Sequence, residues 1–405
     1  MKEPLRIIIL EPQCCGLEHV EVNAGLISII KSAFPAADIL FLAEPEHLLL
    51  VEKSCSALEC GSVRYQVVHP PARGAGEARR FIDEWGLTNQ VLKKAEASRT
   101  DWVIFASITG AGLWSVRLQA RKYNIVLISV IPHIILASIN RLPNFSKPWN
   151  WPFWFRLPFV FGNTSQLQFI LLGEFIKREV INNLPKMAPY VVAIDLPCKG
   201  GFTVQPKALD IESITFGAIG GARVRKGSHL FIQLAKRCRQ LVGTRLNFVL
   251  VGQIEDEEIR QLATEDIILP SRNRPLSRQM FEQLVMDLDY AVFCYEADSY
   301  RFGTSGAFFD ALMFLKPIIT LRCPSMEYYF ESLGDIGYLC DNMEHMYEVV
   351  RSISNMPPAN RYALQVENLR RGRNKFEPSS LALRLRDLLQ HRSAPEQSCI
   401  SSSQL

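Results

Sequence analysis

SYRFGTSGAFFDALMFLKPIIT, residues 299–320, holds a small-residue turn, an apolar helical run and a β-branched strand start in unbroken succession. The turn is Phe302-Gly303-Thr304-Ser305-Gly306, the run carries one acid, Asp310, and Lys316-Pro317 opens the strand. A helix that starts from such a loop leaves backbone N–H groups unpaired at the positive end of its dipole, where a phosphate can dock. Just upstream, residues 288–295 (LDYAVFCY) read as a buried strand. The order strand, loop, helix, strand is the phosphate-binding half of an α/β nucleotide site, with Gly303, Thr304, Ser305 and Gly306 as its candidate backbone.

Outward from this stretch, strands and helices alternate. Strands are expected at 5–10, 38–42, 102–106, 125–130, 190–194, 213–218, 246–252 and 267–269. Helices are expected at 18–33, 77–97, 112–122, 165–184, 228–242, 256–264, 276–287, 343–353 and 360–390. Alternation at this length argues βαβ units and parallel sheets, in an α/β fold of two domains. Residues 199–210, with Gly200-Gly201 and Pro206, read as the linker between a first domain at 1–200 and a second at 208–375. The polar stretch 393–405 reads as a flexible tail.

Several segments resemble the retaining glycosyltransferases of the GT-B fold, family 4. That family carries the pattern aDv.v.PS..E.fG...lEAma.G.PvI, against which Asp289-Tyr290-Ala291, Phe302-Gly303, Asp310-Ala311-Leu312 and Lys316-Pro317-Ile318-Ile319 fall in order. A second family turn reads GR....KG, and Lys226-Gly227 matches its end. The resemblance implies two Rossmann-like domains facing across a cleft, a nucleotide-sugar donor on the second and a glycan or lipid-linked acceptor on the first. It also implies that residues 376–390 pack back on the first domain, that the sugar moves with retention, and that no metal or other cofactor takes part.

Residue by residue, the resemblance makes Asp310 the acid that orients a donor hydroxyl. Lys226, with Arg223 or Arg225, would neutralise the diphosphate; the family's Arg position holds Gly221. Charge builds on a nucleoside diphosphate as it leaves, and fixed cations stabilise it without reorganising. The family's two acids lie eight positions apart, and eight before Asp310 stands Phe302, so Glu296 or Asp298 would have to replace the first. Arg272 and Arg274 occupy the loop where the base binds in the family. In the first domain, Gly16, His19 and Asn23 lie in and after the first strand-to-helix loop, which in GT-B enzymes faces the cleft and touches the acceptor or donor phosphate. His133 falls where the family carries a histidine on the cleft wall. The catalytic candidates are His133, Asp310 and His19.

From the residues alone, Gly220 sits in a Gly-rich turn after a strand, and Gly252 ends another strand, as expected where backbone lies close to a ligand. Residues 107–112 (SITGAG) are expected to line the same cleft. Residues 143–163 break the α/β rhythm with Trp149, Trp151 and Trp154 among prolines. This belt, with Lys147 and Arg156, suits either a membrane interface or a loop packed on its own domain.

Composition sets the outer limits. At 405 residues, with 48% hydrophobic and 21% charged, the chain can bury two cores and is not of disordered type. The net charge of +4 is small and lies in residues 1–200, which hold 21 Lys and Arg against 17 Asp and Glu, the remainder holding 24 against 24; the basic first half suits an anionic membrane surface or acidic substrate by a margin too small to decide, and no nucleic-acid partner is expected. The ten cysteines form no Cys-x-x-Cys and none has a histidine at ligand spacing, so reduced thiols in the cytoplasm and no metal site are expected. Residues 1–12 read as a first strand rather than a signal peptide, and the longest apolar stretch, 125–139, contains Pro132 and is too short to span a bilayer. Two other readings keep the fold: a nucleotide-sugar epimerase, and a sugar-nucleotide-binding relative with little or no activity.

Overall fold

Every strand pairing among the described residues is parallel. The computed structural model describes residues 6–391 apart from 59, 72–73, 75, 143–145, 147–150, 152, 162–164, 199–203, 242–244, 263–264, 272–273, 275 and 297–299. The first sheet comprises β1 (Arg6–Leu10), β2 (Asp38–Ala43), β3 (Arg64–Val67), β4 (Trp102–Phe105), β5 (Leu127–Val130), β6 (Leu167–Leu171) and β7 (Val191–Ala193), in the order β3-β2-β1-β4-β5-β6-β7. The second comprises β8 (Ser213–Ile219), β9 (Arg245–Val251), β10 (Tyr290–Phe293), β11 (Ile318–Leu321) and β12 (Gly337–Cys340), in the order β12-β11-β10-β8-β9. Strands buried on both faces read as continuous apolar runs, as in β1, β4 and β10. Strand order reverses between β1 and β4 and again between β8 and β10. In open α/β sheets those switch points are where a crevice forms beyond the carboxyl ends of the strands.

Several expected elements are corrected. Residues 165–184 are not one helix: β6 occupies Leu167–Leu171, and the helix is Glu174–Asn183. All five residues of β6 are buried between β5 and β7, and Gly173 at φ 143° separates strand from helix. Residues 267–269 make only a single bridge, Val249 to Ile268, at the edge of β9. The expected helix over 360–390 is two, Ala359–Arg373 and Pro378–His391, because Pro378 has no N–H to continue the first and suits the first turn of a second. The helices Pro45–Ala57 and Pro324–Leu333 and the strands β3 and β12 were not expected from the sequence.

The helix Pro378–His391 returns to the first sheet. Its Leu381, Ala382, Leu385 and Leu389 share a core with Ile27 and Ile30 of the helix Val20–Ala33. Arg384 pairs with the buried Asp195 at 2.8 Å. Gly25 is needed here, since a Cβ would lie 2.4 Å from Cγ of Pro197. Among the described residues no helix is long and apolar enough to cross a membrane.

Candidate functional site

The first-domain half of the site grows from the end of β1. Glu11 is fully buried and accepts four hydrogen bonds. They come from the Gln13 and Cys14 amides at 2.9 and 3.0 Å, from Asn23 Nδ2 at 3.1 Å, and from the Ser107 hydroxyl. Asn23 Nδ2 also lies 2.9 Å from His47 Nε2, and His47 Nδ1 lies 2.8 Å from the Gly16 carbonyl. The carbonyl can only accept, so Nδ1 donates and Nε2 takes a hydrogen from Asn23. Both Asn23 hydrogens are then spent inside the protein. Asn23, expected at the acceptor, instead joins a buried network that fixes the loop from Glu11 to His19.

That loop has two left-handed residues, Gly16 at φ 53° and His19 at φ 52°. His19, just before the helix Val20–Ala33, presents its ring edge-on to His133 from the loop after β5, with centroids 4.8 Å apart. Burial lowers the affinity of His19 for a proton, against the pull of Glu11 and Glu18. Burial, then the neighbouring His19, push His133 down to about 4. The structure therefore joins two histidines that the sequence proposed separately. Sequence reasoning missed Glu11 and His47, which hold one of them in place.

The second-domain half is built on backbone contact. Gly220, at φ 94° after β8, and Gly252, after β9, touch so closely that a Cβ on Gly252 would meet the Gly220 carbonyl at 2.2 Å. Lys226 folds back so that its ammonium is 3.4 Å from where a side chain on Gly220 would begin, and burial lowers its pKa. Arg223 is ion-paired with Glu255. Glu255 also fills the room beside Gly221, where a Cβ would meet Oε1 at 1.6 Å. Arg225 is exposed.

Beyond β10, Ser305 caps the helix Gly306–Met313 by accepting from the Phe308 amide, and its hydroxyl meets Tyr295 Oη at 2.7 Å. Gly303 and Gly306 face open space, so neither is there for steric reasons. Thr304 donates its hydroxyl to the Leu172 carbonyl of the first domain, and Arg301 pairs with Glu179 at 2.6 Å, so this loop is anchored across the cleft. Phe302 is a core residue. Glu296 and Arg274 are exposed in their loops, and Asp298 and Arg272 lie outside the described residues. Asp310 stands 3.6 Å from Arg278 and lines a cavity of about 150 Å³ with Gly306 and, from the first domain, Glu21, Val22 and Gly25.

Trp154 is half-buried and donates its indole N–H to the Arg141 carbonyl at 2.7 Å, while Trp151 is exposed. Trp149 lies outside the described residues. Among the described residues no group of three or more His, Cys, Asp or Glu could hold a metal ion.

No family model matches the chain, and no curated protein matches it in sequence. Solved structures do match its fold over nearly its whole length. A glycosyltransferase from Rickettsia africae ESF-5 is 10% identical, with 96% of this chain and 98% of that one covered and a TM-score of 0.65. The Anabaena protein HepE in complex with UDP-glucose is 13% identical, covering 95% and 99% with a TM-score of 0.61. The chain has the GT-B fold. A UDP-N-acetylglucosamine 2-epimerase shares it too, at 12% identity, 96% of each chain and a TM-score of 0.56. GT-B describes both halves above: two parallel sheets of Rossmann type whose carboxyl edges carry, on one side, the His19–His133 pair and, on the other, Lys226, Gly252 and Asp310.

Proposed function

We propose that the protein is a glycosyltransferase, moving a sugar from a nucleoside-diphosphate donor to a glycan or lipid-linked acceptor, with retention as in family 4, and that it works in polysaccharide biosynthesis. The observation that carries the reading is the second-domain crevice. There Gly220 and Gly252 bring bare backbone together, Lys226 folds over it, and the helix from Gly306 opens beside it. A diphosphate is the ligand for such a crevice, because it needs close backbone N–H groups and a fixed cation. Asp310, facing a cavity walled by both domains, would take a hydroxyl of the ribose or sugar. Gly303, Thr304 and Ser305 would shape the phosphate loop rather than touch phosphate through their side chains. Arg223, paired with Glu255, or Arg225, exposed beside Lys226, would supply the second cation for the departing diphosphate.

On the first domain, His19 and His133 would face the acceptor. A neutral imidazole can take the proton that an attacking hydroxyl releases, and burial keeps His133 neutral at physiological pH. An epimerase is the second reading, supported by the likeness to a UDP-N-acetylglucosamine 2-epimerase and by the same pair of titratable rings.

The test is a thermal-shift panel of UDP, GDP, ADP and their sugars against the full chain and Lys226→Ala. A ligand at 100 times its dissociation constant stabilises by about 2.7 kcal/mol. A shift with one nucleotide that Lys226→Ala loses supports the donor site and names the base; no shift with any of them overturns it. Incubation with the matching sugar nucleotide then separates the readings. An epimerase returns an isomerised nucleotide sugar without acceptor, whereas a transferase yields free nucleoside diphosphate in step with acceptor glycosylation.

A further inference from the structure

Two of the buried cysteines face each other. Cys55 lies in the last turn of the helix Pro45–Ala57, and Cys60 follows the turn that ends it. The Leu58 amide donates back to the Ser54 and Cys55 carbonyls at 3.1 and 3.2 Å, and the Cys60 amide donates to the Cys55 carbonyl at 3.1 Å. A backbone bond from the sixth residue to the first closes a helix tightly at its C-terminus. It holds residues 55 and 60 within reach of a disulfide, whose α-carbons stand about 4.4–6.8 Å apart. Each thiol is the other's main hydrogen-bond partner, and both residues are buried, at 3% and 4% exposure. The bond from Cys55 draws the Cys60 thiol below its ordinary pKa, against burial and with help from the Ser28 hydroxyl. The same bond, then burial, push Cys55 up. The other buried cysteines face other groups: Cys294 the Met346 sulfur, Cys323 the Ser325 hydroxyl and Cys14 the Glu11 carboxylate.

A buried cysteine is ordinarily a small apolar filler, but a filler needs no thiol partner. This pair also stands at a telling place. Leu58, between the two thiols, lines the cavity that Glu21 and Gly25 share with Gly306 and Asp310 of the second domain. Ser54, next to Cys55, donates its hydroxyl to Glu21 at 3.2 Å. We infer that Cys55 and Cys60 are a peroxide-responsive dithiol whose disulfide redraws the cavity wall at Leu58. The Cys60 thiolate attacks one oxygen of hydrogen peroxide, the O–O bond breaks, and the hydroxide released takes up a proton to leave as water. Cys55 Sγ then attacks the sulfenic sulfur and gives up its own proton as the S–O bond breaks, releasing a second water and closing the disulfide. Residues 56, 57, 61 and 62 around the pair are exposed, so the thiols lie one layer below solvent, within reach of so small an oxidant. Drawing the sulfurs from hydrogen-bond contact to the roughly 2.05 Å of a disulfide tightens the turn that carries Leu58.

Peroxide treatment of the full chain, followed by alkylation and tryptic digestion, tests this. Cleavage after Lys53 and Arg64 releases both cysteines in one peptide, residues 54–64, which holds no other. The expected result is a peptide that has lost two hydrogens and takes up no alkylating agent until a dithiol reductant is added. In Cys55→Ser the reaction should stop at the sulfenic acid of Cys60, which dimedone captures. Hydrogen exchange on the reduced and oxidised chains reads the coupling: protection should change in the turn after Ala57 and, across the cavity, in the helix Gly306–Met313. Alkylation of both thiols after peroxide overturns the inference, as does passage of Cys60 to the sulfinic acid in the unsubstituted chain. So does a disulfide that leaves exchange in Gly306–Met313 unchanged. None of these outcomes depends on the donor reading, which the nucleotide panel on the reduced chain decides by itself.

Discussion

Removing the carboxylate of Glu11 should cost more stability than removing any other single polar group of the first-domain site. Glu11 is fully buried and accepts from the Gln13 and Cys14 amides, Asn23 Nδ2 and the Ser107 hydroxyl. Hydrogen bonds to a charged group are worth about 1.5–3 kcal/mol each, and a donor left buried without a partner costs about 1–3 kcal/mol. Four such donors do not add fully, since the loop relaxes and a buried charge is relieved, and single substitutions rarely exceed about 4–5 kcal/mol. Glu11→Ala is therefore expected to cost about 3–5 kcal/mol. Glu11→Gln keeps an oxygen for the three donors on Oε1 but turns an amide N–H₂ toward Asn23 Nδ2, and should cost about 1–3 kcal/mol. Urea unfolding followed by circular dichroism measures both. Histidine NMR reads the second consequence: without the nearby negative charge, His19 and His133 should both lose proton affinity, because Glu11 raises it in each. A loss below about 1 kcal/mol for Glu11→Ala, with the His19 resonances unmoved, would refute the view that this carboxylate organises the loop.

His133 is held neutral, pushed down from 6.5 to about 4, so the unfolded chain binds more protons than the folded one between those values. Stability contributed by this group should rise with pH across that window and fall on acidification, by up to about 3 kcal/mol, and His133→Phe should flatten the slope in urea midpoints measured at steps between them. Gly227→Ala should disrupt the Lys226 turn, since φ is 70° and a Cβ would meet the Cys294 carbonyl at 1.9 Å; a loss of about 3 kcal/mol or more and of any nucleotide-induced shift is expected by thermal denaturation. Arg384→Met leaves the Asp195 carboxylate, 1% exposed, without its partner, and should cost about 2–4 kcal/mol, read by hydrogen exchange as faster opening of the helices Pro378–His391 and Val20–Ala33.

What the sequence disclosed depended on how far apart the deciding residues lie. The strand of residues 213–219 and the loop-helix of 299–320 were readable because burial, turn chemistry and helix start are written within a few positions of each other. Residues 167–171 were not, because LQFIL followed by Leu172-Gly173-Glu174-Phe175 suits an apolar helix as well as a strand. Only its place between β5 and β7 decides, and neither neighbour is near in sequence. The break at Pro378 is legible in the sequence, since a proline has no N–H to continue a helix. Glu11 shows the other limit. Its partners Asn23 and Ser107 lie 12 and 96 positions away, so it reads as nothing more than the polar end of a strand. The pairing of His19 with His133 is of the same kind, each being one histidine in a loop until β1 and β5 bring them together.

The cross-cleft contacts bear on how such a site would open. The loop that starts the helix Gly306–Met313 is held to the first domain by the Thr304 hydroxyl on the Leu172 carbonyl and by Arg301 on Glu179. Close by, Phe175 lies against Tyr328 and Tyr329 with ring centroids 6.0 and 5.8 Å apart. The ion pair is partly exposed and contributes at most about 1 kcal/mol, and the neutral hydrogen bond about as much. The aromatic contacts add roughly 0.5–1.5 kcal/mol each beyond their buried area. Together these are a few kcal/mol, the same size as the stabilisation a bound nucleotide supplies at ordinary excess. A cleft fastened by contacts of this size is neither locked nor loose, so a ligand that touches both walls can decide its width. Asp310 and Gly306 share a cavity with Glu21 and Gly25, and a donor bound there would bridge the domains at the point where they are already joined.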